Sequence, residues 1–335
     1  MFSTFGDLAS TFHARTFSAQ LKSNMTRLGG ELTTGLKADL SSAVSRDFGP
    51  LASIEHSLKT LEAYRTATNE AATIASAAQF SMGAIQTQSE ELYMGMISAS
   101  TTGNVTLIDT TAFDARQKFI GAVSQLNTSA MGRTLFAGAA TDGPALMRGE
   151  DMLDAIKLEI AGAGTAADVS MRIDTWFDDP AGGFATSGYL GADTTMGPLR
   201  LGNGESGEMG LRADDPAIKN VLKAMVKSAV IAEGALNGDV EQQTRLVEQS
   251  SNELLSANGK FTVARAAVGS LEARIEDAQT RNGAEKSSLE ISRNELRSAD
   301  PYDTAAELHA VQGQLESLYT VTAFLSKLSF TDYMR

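Results

Sequence analysis

The sequence contains no cysteine, which excludes disulfides, thiolate catalysis and cysteine-ligated zinc or iron–sulfur centres. Aromatic residues are scarce, 6% with a single tryptophan, a composition that suits long thin helices better than a thick globular core. No apolar run reaches the roughly 18 residues that a membrane span needs. Basic residues are outnumbered, 28 Lys and Arg against 41 Asp and Glu, leaving a net charge of −13. Phosphates would be repelled by such a surface, so no nucleic acid is expected as a partner, and without a span no membrane is expected either. The opening residues Met1 to Asp7 lack the basic start and apolar run of a secretory signal, and no cleaved signal is expected.

At 335 residues the chain exceeds what one core usually supports, so two or three domains are expected. Only six prolines occur, and they act as boundaries. Asp215-Pro216 and Asp300-Pro301 read as helix starts, with Asp capping free N–H groups and Pro at the first helical position. Asp303 adds negative charge at the positive end of the second of these helices. Fifteen of the 30 glycines lie between Gly132 and Gly210, together with Pro144, Pro180 and Pro198. Two helical arms around a different centre follow from this distribution.

In the first arm, Leu21, Met25, Leu28 and Leu32 repeat at spacings of 4, 3 and 4. A second helix after Pro50 carries Leu51, Ile54, Leu58 and Leu61, passes through Thr68, Ala71, Ala75 and Ala78, and resumes with Met82, Ile85, Leu92 and Met96. The small residues allow close approach of helix axes. A third helix is expected from about Thr111 to Met131, after Asp109-Thr110. In the second arm Ile218, Val221, Leu222 and Met225 follow Pro216, and a longer helical stretch runs through Leu246, Leu254, Phe261, Val268, Leu271 and Ile275 to about Leu296. At its end Leu308, Val311, Leu315, Leu318, Thr322 and Leu325 form one narrow seam of coiled-coil spacing.

The centre predicts strands. Ile156 to Ile160 and Val169 to Thr175 alternate apolar with polar residues. Its six basic and fourteen acidic residues hold −8 of the net charge. The expected fold is mainly α: an elongated antiparallel helical bundle or coiled coil formed by the two arms, with an inserted β-rich central domain. Its expected parts are an N-terminal helical segment over 1–45, the two halves of the bundle over 46–131 and 216–297, the outer β domain over 132–215, and a C-terminal coiled-coil helix over 298–335.

No catalytic constellation emerges. Gly202-Asn203-Gly204-Glu205-Ser206-Gly207 matches G-x-G-x-x-G, but no helix opens after it to receive a diphosphate, and its surroundings are acidic. His13, His56 and His309 fall far apart in helical stretches and read as solvated. Asp178-Asp179 beside Trp176 lacks the spacing of a calcium loop and reads as a turn before Pro180. Asn104-Val105-Thr106 and Asn127-Thr128-Ser129 fit the glycosylation sequon, a pattern frequent by chance. No metal or other cofactor is expected, and no enzyme activity.

Both arms carry family signatures. Leu32-Thr33-Thr34-Gly35-Leu36-Lys37 resembles the L-S/T-T/S-G-x-K motif near the start of bacterial flagellins. Asp300-Pro301-Tyr302-Asp303-Thr304-Ala305-Ala306-Glu307-Leu308 resembles the D-x-D-Y-A-x-E-x-x-x-L region that opens their C-terminal helix. Gly132-Arg133-Thr134-Leu135-Phe136-Ala137-Gly138 and the ending Leu328 to Met334 resemble segments of the hook–filament junction branch of that family. Gly29-Gly30 interrupts the N-terminal seam, and Ser45 to Pro50 is a reduced version of the family's stretch after the lysine; both mark a divergent member.

The resemblance implies a structural subunit exported through the flagellar type III channel, located in the extracellular flagellum. Its implied partners are further copies of itself in a ring, hook-associated protein 1, flagellin and a flagellar export chaperone. A filament subunit is the nearest alternative, and a non-flagellar secreted helical protein a more distant one. On this reading Leu21, Met25, Leu28 and Leu32 pair with Leu308, Val311, Leu315, Leu318 and Leu325. One such strip poorly offsets the entropy of ordering two helices, so the termini are expected to be loose until neighbours order them.

Overall fold

The computed structural model describes residues 4–44 and 47–327. The expectations for the first three residues and for the ending Leu328 to Met334 lie outside these, as does the side chain of Leu325. The fold is mainly α. In chain order come α1 (Thr4–Thr34), α2 (Leu40–Ala43), α3 (Gly49–Thr102), α4 (Val105–Leu126), β1 (Ser129–Ala130), β2 (Arg133–Thr134), α5 (Gly149–Glu159) and α6 (Ala166–Asp178). A π-helical turn (Phe184–Gly188) follows, then β3 (Leu199–Gly202), β4 (Glu205–Gly207), α7 (Pro216–Ala232), α8 (Val240–Arg297) and α9 (Pro301–Lys327). Among the described residues, β structure is limited to the antiparallel hairpins β1–β2 and β3–β4 and two isolated bridges.

Several helix starts follow the chemistry of their caps. The Asp215 carboxylate caps α7 by accepting from the Ala217 amide at 2.8 Å, with Pro216 in the first turn. Asp300 Oδ1 accepts from Tyr302 N at 2.8 Å and Asp303 N at 3.2 Å at the start of α9. The third helix begins earlier than the sequence suggested: Asn104 Oδ1 accepts from Leu107 N at 3.2 Å, and Asp109 and Thr110 lie inside α4. There the Thr110 hydroxyl is absorbed by the Thr106 carbonyl at 2.7 Å rather than capping anything.

The two strands expected at Ile156–Ile160 and Val169–Thr175 are instead parts of helices α5 and α6. Over a longer window the buried residues of α5, Met152, Leu153 and Ile156, and those of α6, Val169, Ile173, Trp176 and Phe177, follow helical spacing. Thr165 caps α6 by accepting from Asp168 N at 3.2 Å. Short alternating runs fit both periods, and the cap and the third and fourth apolar positions decide for helix.

The chain divides into two compact units, Met1–Leu61 with Ala284–Arg335, and Glu62–Gly283. In the second unit α7 is central. Twelve of its 17 residues are buried, on every side of the helix, which places it inside a core rather than at a surface. It packs against α4 and α6. Phe119, Phe136, Phe177, Phe184, Met225 and Phe261 are among the largest residues of a core that continues from Ala71 to Ala278. Lys227 is 0% exposed within it, its ammonium 2.7 Å from both Asp174 Oδ1 and Glu253 Oε1. One and two turns earlier, Lys223 and Lys219 pair with Asp178. Trp176 stacks edge-on against Phe177 and Phe184, and the missing Cβ of Gly183 is what admits its indole.

In the first unit α1 packs against α9. The Gly29-Gly30 pair does not break α1, which continues to Thr34 with the hydroxyls of Thr33 and Thr34 bonded to the Gly29 and Gly30 carbonyls at 2.7 and 2.8 Å. Termination comes at Gly35, whose φ of +70° is left-handed. A short antiparallel bridge follows: Lys37 N donates to Arg297 O at 2.8 Å and Ala299 N to Gly35 O at 2.9 Å, with Leu36 opposite Ser298.

Candidate assembly interface

The α1–α9 pair holds most of the residues that the sequence singled out. Leu21 and Leu28 are 3% and 2% exposed, and Met25 is half-buried between them. Across from them Thr304 is buried and Leu308, Val311, Leu315 and Leu318 are half-buried, while the intervening positions of α9 are mostly exposed. That is the burial profile of one seam at spacings of 4, 3, 4 and 3. Thr322, also assigned to this seam, is exposed.

Leu32 does not belong to the seam: it is 41% exposed, and Glu31 is 5% exposed in its place. The reason is electrostatic and geometric. Glu31 accepts from Arg27 Nη1 at 2.8 Å and from the Ala38 amide at 3.0 Å, so its carboxylate ties the chain after α1 back to the helix. A buried carboxylate with two donors is stable there, and Leu32 turns outward by one helical position. Sequence reasoning had no reason to prefer an acid over a leucine; the heptad step from Leu21 and Leu28 was its only available signal.

Apolar residues also face solvent on this pair. Phe12 and Phe17 on α1 and Val321 and Phe324 on α9 are all exposed. Lys22 lies 5.8 Å from the centroid of the Tyr319 ring, and its hydrogen bond to the phenol holds the Tyr319 hydroxyl below its usual range. An open groove of about 800 Å³ lies at the C-terminal end of α1, lined by Arg27, Glu31, Thr34, Lys37 and Arg297 among others.

The remaining sequence candidates are not drawn into a site. His13, His56 and His309 are exposed on α1, α3 and α9. Gly202 to Gly207 form the turn and second strand of the β3–β4 hairpin, with Gly204 at φ +70° in the turn. The hairpin is held on α8 by Asn282 donating to Leu201 O at 2.8 Å and Arg274 to Ser206 O at 2.9 Å. Asp178 is engaged by lysines, and Asp179 Oδ1 accepts from Ala181 N at 2.8 Å in a turn. The Asn127 amide both donates to and accepts from the backbone of Leu146, at 2.9 and 2.8 Å, and is committed to joining two loops. Among the described residues there is no group of three or more His, Asp or Glu side chains able to hold a metal, and no helix long and apolar enough to cross a membrane.

Residues 252–334, which include most of α8 and all of α9, match the family model of the bacterial flagellin C-terminal helical region. That stretch of the chain is similar to the C-terminal helical region of bacterial flagellins. The seam from Thr304 to Leu318 lies within the matched residues, and so does Arg297 of the groove. A solved structure of a Vibrio parahaemolyticus protein, provisionally assigned as flagellar hook-associated, is 10% identical; the similarity covers 72% of this chain and 94% of that one, with a TM-score of 0.49. No curated protein matches the sequence.

Proposed function

We propose that the protein is a structural subunit of the bacterial flagellum, and within it a hook–filament junction protein of the hook-associated protein 3 type. The observation that carries the flagellar reading is the flagellin C-terminal match over residues 252–334, on a helix whose seam packs against α1. The junction role rests on the Gly132–Gly138 and Leu328–Met334 resemblances. In this reading subunits form a ring above hook-associated protein 1, and flagellin builds upon it. The chain leaves the cell through the flagellar type III channel with an export chaperone.

The mechanism is attachment rather than catalysis. A two-helix strip with two fully buried leucines and bare aromatic residues beside it gains most from neighbours that cover those faces. Residues 132–215 would form the outward part of the subunit. Leu315→Asp and Leu318→Asp should leave the core of Glu62–Gly283 folded while preventing incorporation; wild-type motility in either mutant would refute this.

The filament-subunit reading is favoured by the same flagellin match and differs in number and place. Gold-labelled antibody on isolated flagella separates the two. Label confined to the hook–filament boundary supports the junction role. Label along the filament supports a filament subunit, and unlabelled flagella would overturn both.

A further inference from the structure

The groove at the end of α1 contains cations without counter-charges. Arg27 is taken by Glu31. Among the described residues Lys37 and Arg297 pair with no carboxylate, and Arg297 Nε is buried with no hydrogen-bond partner. A buried guanidinium nitrogen left unpaired is costly, and the cost falls when a carboxylate reaches it. The hydroxyls of Ser23, Thr26 and Thr34 line the same space, which is about 800 Å³ and open to solvent.

The complementary feature stands on α9. Asp303 and Glu307 are exposed one turn apart, and neither is paired with a cation among the described residues. Asp300, by contrast, is occupied as the cap of its helix. The same unit thus presents two free cations in a groove and two free carboxylates on a helix, and they do not satisfy each other within the chain.

We propose that the groove is the docking site for the first two turns of α9 in a second copy of the chain, with Asp303 and Glu307 of the incoming copy set against Lys37 and Arg297. The occupant follows from charge complementarity: this is a cationic recess in a chain of net charge −13, and the matching carboxylates lie on an exposed helix face of that chain. Each copy offers its groove to one neighbour and its α9 to another, so the contact proposed is head-to-tail. Head-to-tail contacts propagate into rings or helical arrays rather than closed dimers. The inference rests on the reading of the chain as an assembling subunit and names the surfaces that would join.

Charge exchange in the full-length protein tests it. Self-association of purified chain is followed by sedimentation velocity, with helix content checked by circular dichroism. Lys37→Glu with Arg297→Glu, and separately Asp303→Lys with Glu307→Lys, should each weaken association roughly a hundredfold by placing like charges together. The four-residue exchange, and an equal mixture of the two double variants, should recover to within about tenfold of wild type, since opposite charges again meet. Asp303 lies at the positive end of α9, so Glu307→Lys alone is measured as well, with about a tenfold loss expected. Double variants that associate like wild type, or a four-residue exchange that stays helical without recovering, would overturn this docking mode alone. A wild-type chain that never self-associates would overturn the assembling-subunit reading itself.

Discussion

Replacing Leu28 by alanine should loosen the α1–α9 pair selectively. Leu28 is 2% exposed, and buried leucine-to-alanine changes cost about 2–5 kcal/mol, increasing with the cavity that remains. The opposing Leu308, Val311 and Leu315 are only half-buried, so the strip can partly collapse, and a cost of about 2–3 kcal/mol is expected. At about 1.4 kcal/mol per factor of ten, local opening becomes roughly 30- to 150-fold more frequent. Native-state hydrogen exchange reads this directly. Amides of residues 18–34 and 304–318 should exchange faster by that factor, while those of Val221 to Val230 inside α7 keep their protection. Leu32→Ala is the control: its side chain is 41% exposed, and the change should stay within about 0.5 kcal/mol. Equal acceleration in α7, or equal effects of the two substitutions, would refute the reasoning.

Other outcomes follow from the core of Glu62–Gly283. Lys227→Met combined with Asp174→Asn and Glu253→Gln should be close to neutral in urea titration, whereas Asp174→Asn with Glu253→Gln alone strands a buried ammonium and should cost about 3–5 kcal/mol. Glu233 has its pKa lowered by hydrogen bonds from Arg116 at 2.6 Å and Lys157 at 3.3 Å, which outweigh the opposing desolvation. Its folded pKa lies below its unfolded one, so its contribution is fully present above the ordinary glutamate value of 4.5 and lost as pH falls through the lowered one. Melting curves of Glu233→Gln should show less stability at neutral pH and a shallower acid loss than wild type. Gly183→Ala would set a methyl against the indole of Trp176, the sole tryptophan, so its fluorescence spectrum should shift as the protein destabilises.

The sequence was informative where a local rule had one solution. Asp215-Pro216 and Asp300-Pro301 begin helices because an acid cap followed by proline suits little else. The Leu308 to Leu318 seam was legible because its spacing persists over several turns. Ile156 to Ile160 and Val169 to Thr175 were misread because five to seven residues fit both a strand and a helix, and burial against α7 and its neighbours decides between them. Leu32 was placed in the seam because hydrophobicity ranks leucine above glutamate. The structure reverses that order with two hydrogen bonds to the Glu31 carboxylate. Nothing local indicated the groove, since Lys37 and Arg297 lie 260 positions apart and meet only through the bridge between the segments after α1 and before α9.

The flagellar account stands or falls most directly on deletion of this gene followed by electron microscopy of the cells and assay of the medium for flagellin. It predicts hooks without filaments, flagellin released into the medium, and filaments restored when the intact chain is supplied. Cells that keep full-length filaments and swim normally would contradict it.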